Sequence, residues 1–389
     1  SYRLSVEGMT DDYYDSHLAD DKARQQINFR GDYALSNTDR LEISLGYLSG
    51  DTSKGEGSLT NPFRDEDVTS HYQQLVWTRQ LGNENELKIN FSHNYHRLDD
   101  TFDVAFAVPG ALLLPPSPTP TVLVPYQFSQ SGLEQRYNLE LVHTYRLNKQ
   151  LRTVWGGEIR QDRLSGVDDF GLFNSSATFT NYLYRLFGNA EWSASNDLLF
   201  NAGLMVEDND FTGTDVSPRL AVNYHIKPHH TVRAIASRAY RTPSFFEERA
   251  DAVIDLVGVI TPPFDIDTLY QGNRNLRPEQ MTAYELGYLF QHPRKSLTLD
   301  AKLFYERIDD IISAATDQSF INANGVPDTV NLSYQSDGYS RTWGAEFQLD
   351  FRPNRNTQLW LTYSYARISG RYLDVIQAGG NRVYANLDN

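Results

Sequence analysis

The segment Glu86–His96 (ELKINFSHNYH) alternates apolar and polar side chains. Leu87, Ile89 and Phe91 stand at every second position, with polar residues between them. Because successive side chains of a strand point to opposite faces, this period of two predicts a strand with one apolar and one polar face. An α-helix would instead space its apolar residues three or four positions apart.

The same alternation returns along the whole chain and predicts about fifteen strands of at least roughly 9 residues, enough for a tilted strand to cross a membrane. They are Ser1–Met9, Ala23–Leu35, Asp39–Gly50, His71–Leu81, Glu86–Leu98, Glu134–Leu147, Gln150–Leu164, Phe179–Ala194, Leu198–Asp208, Val216–Ile226, Thr231–Arg241, Gln280–Gln291, Ser296–Ile312, Tyr339–Arg352 and Thr357–Gly370.

Short polar turns and long loops connect these strands in turn, as in outer-membrane barrels with short periplasmic turns and long extracellular loops. The long loops are Asp51–Ser70, Asp99–Leu133, Ser165–Thr178, Thr242–Glu279 and Ser313–Gly338. Within the second of them, the proline-rich stretch Val108–Pro125 is expected to be an extended loop that packs on its neighbours. The fold class predicted is all-β, an antiparallel transmembrane β-barrel.

Composition agrees with one such domain over residues 1–389. The chain is 40% hydrophobic and rich in aromatic residues, with 24 Tyr, 20 Phe and 5 Trp, which suits the aromatic girdles of a barrel. It has no stretch of about 18 apolar residues, so helical membrane proteins are excluded. The net charge of −15 disfavours nucleic acid as a partner, and the absence of Cys excludes disulfides and thiolate sites.

From Val216 onward, several segments resemble a known family. They are the strand beginning Ser217-Pro218-Arg219-Leu220, the strand exit Tyr240–Glu247 (YRTPSFFE), the loop end Gly272–Glu279 (GNRNLRPE), the strand piece Tyr284–Tyr288 (YELGY) and the piece Trp343–Glu346 (WGAE). Their order and spacing resemble those of TonB-dependent outer-membrane receptors. The part before Val216 fits this family by its rhythm of strands and loops.

The resemblance implies a barrel of 22 strands with a plug domain in its lumen. The chain would then be the middle part of the barrel, without the plug, about two early strands and about five late ones. The implied function is active uptake of a scarce nutrient, most directly a ferric siderophore, with cobalamin, haem or a glycan as alternatives. The implied partners are the TonB-ExbB-ExbD complex, acting through the plug, and outer-membrane lipid. We expect a monomer in the outer membrane of a Gram-negative bacterium, without a resident cofactor.

Aromatic and cationic residues near the loop ends are candidates for ligand binding, because anionic chelates favour Arg and small-molecule sites favour aromatic walls. The candidates are Tyr126, Phe128, Arg241, Phe245, Phe246, Tyr270 and Arg274. The alternative for most of these rings is packing within the loops or anchoring at the membrane interface.

Ten charged residues fall on inward-facing positions of the predicted strands. They are Arg136, Glu140, Glu158, Arg160, Arg185, Glu191, Arg219, Glu285, Lys302 and Glu346. Individually each either holds a plug or forms a solvated lumen wall, while collectively they favour a plug. An inward carboxylate needs water or a partner, because burying it alone is costly.

Two metal sites can be weighed from the sequence. His93 and His96 are three positions apart in a strand, so their rings point to opposite faces and cannot share an ion. The acidic residues of the first loop could bind calcium, but their spacing fits no known loop and favours a solvated tip. They are Asp11, Asp12, Asp15, Asp20 and Asp21.

Three other functional classes compete with uptake. A passive porin would share the strands and loops, and only a plug domain would distinguish the two. A barrel enzyme is disfavoured because the chain has no Gly-x-Ser-x-Gly elbow, phosphate loop or His-Glu-x-x-His helix. A soluble β-propeller would repeat at a fixed period, and none is found.

Overall fold

The computed structural model describes residues 1–11, 21–165, 178–262, 266–292, 296–319 and 330–387. Twenty strands occur within this described part: β1 (Tyr2–Asp11), β2 (Lys22–Ala34), β3 (Asp39–Lys54), β4 (Arg64–Gly82), β5 (Asn85–Asp99), β6 (Thr101–Pro109), β7 (Thr121–Ser129), β8 (Gly132–Arg146), β9 (Leu151–Ser165), β10 (Phe179–Ser193), β11 (Leu198–Asn209), β12 (Gly213–Lys227), β13 (His230–Arg241), β14 (Asp251–Asp255), β15 (Ile266–Gln271), β16 (Glu279–His292), β17 (Leu297–Asp317), β18 (Val330–Asn354), β19 (Thr357–Ile376) and β20 (Arg382–Asn386). A short 3-10 helix spans Gly110–Leu112 and a short helix, α1, spans Phe245–Arg249. Among the described helices, none is long and apolar enough to cross a bilayer.

Fifteen strands form one antiparallel meander. Each pairs with the next along the chain, except that β5 pairs with β8 and β13 pairs with β16. The skipped strands β6, β7, β14 and β15 lie in the loops, where β6 pairs with β7 and β14 with β15. In the described residues β1 pairs with β2 alone, and β19 pairs only with β18 below Gly370. The predicted antiparallel barrel architecture is therefore confirmed at the level of strands and their order.

All fifteen predicted strands are present, and their turn ends lie within one or two residues of the prediction. At the loop end, four predicted strands are too short by five or more residues. β4 begins at Arg64 rather than His71, and β18 begins at Val330 rather than Tyr339. β17 continues to Asp317 rather than Ile312, and β19 continues to Ile376 rather than Gly370. Beyond the bilayer both faces of a strand meet water, so polar residues replace the apolar row and the alternation disappears.

The prediction of an extended loop over Val108–Pro125 is wrong in part. Its two ends belong to the β6–β7 hairpin, in which Ala105 lies opposite Pro125 and Val108 opposite Val122. A two-stranded ribbon has an outer edge on each strand, so a proline without a backbone donor is tolerated there. The expected packing of this stretch on its neighbours is present and is described below.

The register sorts the side chains of the meander into two faces. One face carries apolar rows that stay exposed in the isolated chain, such as Leu186 at 70% and Leu303 at 58% exposure. The other face carries ion pairs between neighbouring strands, including Arg233 with Glu285 at 2.6 Å. A water-soluble protein rarely exposes so continuous an apolar surface. The arrangement matches an apolar band toward lipid and a polar wall toward the lumen.

Candidate functional site at the loop end of the barrel

Two long loops meet over the lumen. One connects β5 to β8 and the other connects β13 to β16, so six strands of the sheet, β8 to β13, lie between them. The Tyr126 hydroxyl donates to the Val253 carbonyl at 3.2 Å, and the Thr261 amide donates to the Leu112 carbonyl at 2.7 Å. We call this contact between the loops the loop bridge.

A hydrophobic cluster fills the loop bridge. Its buried members are Val104, Val108, Val124, Tyr126, Ile254, Leu256 and Ile260, with Phe102, Phe106, Leu112, Leu113, Phe128 and Leu269 packed against them. The fifteen strands of the meander contribute no member of this cluster, because their apolar side chains face outward. Burial of apolar side chains therefore concentrates in the loops, where it stabilises a fixed arrangement.

Arg241, at the loop end of β13, is bonded to two carboxylates. Its Nε donates to Glu279 at 2.7 Å and its Nη1 donates to Glu247 at 3.0 Å. Glu247 also accepts from the Ser244 backbone N–H at 2.8 Å, which completes the capping box of α1. We call these four residues the arginine clamp. Two of the segments that carried the family resemblance, Tyr240–Glu247 and Gly272–Glu279, thus meet in one structural unit.

Gly272 holds the second segment against α1. Its N–H donates to the Ala250 carbonyl at 2.6 Å, and a Cβ on Gly272 would lie 2.6 Å from the Ala250 nitrogen. Only glycine allows so close an approach of the two backbones. Next to it, the Asn273 amide donates to the Glu247 carbonyl at 3.0 Å.

Electrostatics distinguish two carboxylates near α1. Burial would raise the pKa of Glu279, but hydrogen bonds from Arg241 and the Ile312 amide lower it overall. Burial raises the pKa of Glu248, which is 5% exposed and pairs with Arg249 at 3.3 Å. One Glu248 oxygen is buried without a hydrogen-bond partner. Relative to an ordinary glutamate, the charged form of Glu279 and the neutral form of Glu248 are therefore favoured.

A cavity of about 710 Å³ lies between the lumen wall and α1. We call it the vestibule. Its polar wall comes from the inward faces of β5, β8, β9 and β10 and comprises Asn94, His96, Glu134, Arg136, Arg160, Asp162 and Asn181. Its aromatic wall comprises Phe211, Phe245 and Phe246. The vestibule combines aromatic rings with fixed polar groups, as small-molecule sites do.

Two guanidinium groups of the vestibule share one carboxylate. Arg136 Nε donates to Asp162 Oδ1 at 2.5 Å, and Arg160 Nε lies 3.1 Å from Asp162 Oδ2 without hydrogen-bond alignment. The Arg136 side chain is 52% exposed. The group around Asp162 therefore carries one excess positive charge and N–H donors that face the cavity, which suits an anionic ligand.

The aromatic wall is held by contacts behind it. Phe245 and Phe246 pack on Leu164, which points inward from β9. The Phe245 ring meets Phe211 edge to face with centroids 5.2 Å apart, and Phe246 meets Tyr270 at 5.3 Å. The rings are therefore fixed before any ligand arrives.

The structure places the seven predicted binding residues in different settings. Phe245 and Phe246 line the vestibule, and Tyr270 stands behind Phe246. Tyr126 is buried and Phe128 is half-buried in the loop bridge, the packing alternative weighed above. Arg241 is engaged in the arginine clamp, whereas Arg274 is exposed to solvent. The seven residues therefore do not form one site.

The sequence did not predict the polar wall of the vestibule as a candidate binding surface. It placed Arg136 and Arg160 on the inward face, but as plug contacts or lumen wall. The signal that could have identified them is the row formed by Asn94, Arg136 and Asp162, which lie directly opposite one another in β5, β8 and β9.

Three inward carboxylates outside the vestibule have cationic partners on the lumen wall. Glu346 lies 2.9 Å from Lys302, and Arg185 bridges Glu158 and Glu207. The requirement that an inward carboxylate be paired is therefore met within the wall itself at these positions.

His93 and His96 point to opposite faces, as predicted. The His93 ring stacks on Tyr137 with centroids 4.4 Å apart on the outer face, while His96 lines the vestibule. Among the described residues no group of three or more His, Asp or Glu is arranged to hold a metal ion. Of the acidic first loop, Asp12, Asp15 and Asp20 lie outside the described residues.

Comparison with known proteins gives one family. The family model for TonB-dependent receptor-like β-barrels matches residues 3–387. A probable TonB-dependent siderophore receptor, PirA of Acinetobacter baumannii, is 28% identical over 145 residues, which cover 35% of this chain and 18% of that protein.

Solved structures share the fold. The ferric-catecholate import receptor Fiu of E. coli K12 superposes with a TM-score of 0.61 at 12% identity, covering 98% of this chain and 62% of Fiu. The outer-membrane transporter YddB of Escherichia coli superposes with a TM-score of 0.64 at 10% identity, covering 95% of this chain and 55% of YddB. The aligned part of the chain spans about a fifth of the length of the PirA sequence and less than two thirds of the length of Fiu.

Proposed function

The chain belongs to the TonB-dependent receptor β-barrel family, and from that premise we propose that residues 1–389 are one barrel domain of a receptor that imports a ferric siderophore. Receptors of this family are outer-membrane proteins of Gram-negative bacteria. We place this chain there as a monomer surrounded by outer-membrane lipid. Uptake would be driven by the TonB-ExbB-ExbD complex through a plug domain in the lumen. The family match argues against a passive porin and against an enzyme.

The vestibule is the observation that supports a ferric siderophore as the cargo. Arg136 and Arg160 share Asp162 and face the cavity, opposite the rings of Phe245 and Phe246. A ferric siderophore presents anionic oxygens around the metal and flat or apolar groups on its backbone. The guanidinium groups would bond the oxygens and the rings would cover the apolar groups. PirA, a weak relative, is described as a siderophore receptor, which supports the same class.

The arrangement also suggests how the ligand would be exchanged. Arg136 can leave Asp162 for a ligand oxygen without losing a charge partner. Asp162 would keep Arg160, so no buried charge is left alone. The arginine clamp stays intact in this scheme, because none of its members lines the vestibule apart from Ser244.

Binding to the full-length receptor tests this proposal. Fluorescence quenching measures the binding of a ferric catecholate and of a ferric hydroxamate, with the iron-free chelators as controls. Replacing Arg136 and Arg160 together by Gln should weaken binding of the preferred ferric chelate by roughly tenfold or more, since each lost charged hydrogen bond is worth about 1.5–3 kcal/mol. Arg97→Gln is the matched control, because Arg97 pairs with Asp99 outside the vestibule.

Growth on defined iron sources tests uptake itself. Deletion of the whole gene should abolish growth on the preferred ferric siderophore and leave growth on ferrous iron unchanged. Normal growth of the deletion strain on every siderophore, together with a growth defect on haem or cobalamin, would contradict the proposed cargo but not the family.

A further inference from the structure

A row of arginines faces outward at the loop end of the sheet. It consists of Arg238 on β13, Arg307 on β17, Arg341 on β18, and Arg367 and Arg371 on β19. Arg307 lies directly opposite Arg341 in the register, and Thr282 of β16 lies between Arg238 and Arg307. All five side chains belong to exposed residues. We call this set the arginine row.

Carboxylates balance little of this charge. Arg307 pairs with Asp309 at 2.7 Å. Within the described part of the chain, no carboxylate lies within ion-pair distance of the other four; Arg341 and Arg371 instead lie over the Tyr339 ring. Like charges directly opposite each other in a sheet are destabilising. The pair Arg307 and Arg341 therefore favours an anion from outside the chain.

The arginine row lies just above the apolar band. Along β17 the outward residues include Leu297, Leu303 and Tyr305, and Arg307 follows Tyr305 at the next outward position. Ten residues separate Leu297 from Arg307, which corresponds to about 25 Å along the normal for a tilted strand, the height of the apolar band of such barrels. Tyr284, Tyr305 and Trp343 form an aromatic row directly below Arg307 and Arg341, and Arg367 lies opposite Trp343 at the level of this aromatic row. This places the guanidinium groups of Arg238, Arg307 and Arg341 at the level of lipid headgroups.

An apolar groove runs directly beneath Arg238. Its floor is formed by Ala234 and Ala236, the two outward residues that precede Arg238 on β13. Its sides are formed by Leu220, Val222, Tyr284, Leu286, Leu303 and Tyr305. The small floor residues leave a channel on the surface that would face acyl chains. A groove for a chain and a cationic patch above it are continuous on one face.

We propose that the arginine row and this groove bind a phosphorylated lipid of the outer leaflet. The phosphate lies on Arg238, Arg307 and Arg341, whose planar guanidinium groups suit bidentate bonds to phosphate. One acyl chain lies along Ala234 and Ala236. The proposal requires the barrel and its orientation in the membrane, and it does not depend on which cargo is imported.

Lipid retention by the full-length receptor, purified in detergent and followed by native mass spectrometry, tests the proposal. The probes are a lipid A carrying both phosphates, the same lipid A after removal of its phosphates, and phosphatidylcholine. We expect the phosphorylated lipid A alone to stay bound at a defined stoichiometry. Exchange of Arg238, Arg307 and Arg341 together for Gln should weaken its binding by roughly tenfold or more.

Two further variants separate the contributions. Ala236→Leu should fill the groove and weaken lipid A binding while all arginines remain. Arg219→Gln removes a cation from the inward face of the neighbouring strand and should leave lipid binding unchanged. Heat-modifiable mobility in gels checks that each variant forms a barrel. If the triple variant misfolds, the single Arg341→Gln variant, expected to bind several-fold more weakly, replaces it.

Three results would overturn the proposal. The first is equal retention of lipid A with and without its phosphates. The second is undiminished retention by both the arginine and the groove variants. The third is complete displacement of lipid A by inorganic phosphate, which would make the row a site for free anions.

Discussion

Arg241 illustrates how a residue chosen for ligand binding can be committed to the fold. Its guanidinium makes four hydrogen bonds, two with Glu279 and two with Glu247. These bonds connect β13, α1 and β16, and they raise the pKa of Arg241. A ligand would have to break a bidentate pair to recruit this side chain. Arg136, with a single strong bond and half of its side chain exposed, is the better candidate.

The two unlike carboxylates near α1 predict an unusual pH response of this loop. The pKa of Glu279 is lowered, so its stabilising effect is present above its ordinary value of 4.5 and is lost as the pH falls through the folded-state value. The pKa of Glu248 is raised, so the folded loop is most stable while Glu248 is protonated and loses stability as the pH rises above 4.5 through the folded-state value.

Hydrogen exchange of residues 245–272 in the full-length receptor, corrected for intrinsic rates, measures this response. Protection should rise on acidification from neutral pH toward 4.5 and fall below it. Glu248→Gln should reduce the rise to the part that comes from Asp251, whose pKa burial also raises, and Glu279→Gln should abolish the fall. A monotonic profile in the unmodified receptor would contradict the assignment of opposite shifts.

At the scale of elements, the loop bridge gives Tyr126 a packing role that a conservative substitution can test. Tyr126→Phe removes the hydroxyl with its hydrogen bonds to the Val253 carbonyl and the Asp255 backbone but keeps the ring, which should cost about 1–2 kcal/mol. Tyr126→Ala also empties part of the hydrophobic cluster and should cost about 3–5 kcal/mol of local stability. Protease resistance of the loops between β5 and β8 and between β13 and β16 reports both effects.

Ligand affinity separates packing from recognition at the same position. If Tyr126 acts through packing, Tyr126→Phe should bind the ferric chelate as tightly as the unmodified receptor. A tenfold loss in that variant, with the loops still protected, would restore Tyr126 to the binding site.

The strands were predictable because each obeys a local rule. The alternation in Glu86–His96 identifies β5 without knowledge of its neighbours, and it correctly directs His93 and His96 to opposite faces. The loops obey no such rule. The pairing of β6 with β7 and the contact of Tyr126 with Val253 depend on residues that are distant along the chain, so single-sequence patterns do not reveal them.

The candidate site was predictable in part for the same reason. Phe245 and Phe246 were chosen because they follow a strand end, and they line the vestibule. The grouping of Asn94, Arg136 and Asp162 required the register between β5, β8 and β9. The sequence of one strand shows which side chains face inward. Which of them are neighbours on the lumen wall follows only from the register of three strands.

At the scale of the whole molecule, the two faces predict opposite environments for introduced cysteines. The chain contains no Cys, so an introduced cysteine is the single labelling site within these 389 residues. Fluorophores attached at Leu286→Cys and Leu303→Cys should be quenched strongly by lipids with brominated chains, because both positions face outward. A fluorophore at Ser237→Cys, on the inward face of β13, should be quenched weakly. Equal quenching at all three positions would contradict the assignment of the faces.

The loop bridge has a consequence for biogenesis. Tyr126 and Val253 lie 127 positions apart, and the intervening strands β8 to β13 must be aligned before these residues can touch. Contacts between such remote segments form slowly, since a large chain closure precedes any energetic gain. The loop bridge should therefore be the last part of the barrel to fold. Until it forms, the lumen of a newly inserted receptor stays accessible to folding factors. Protease resistance of the loop bridge would therefore mark the end of folding.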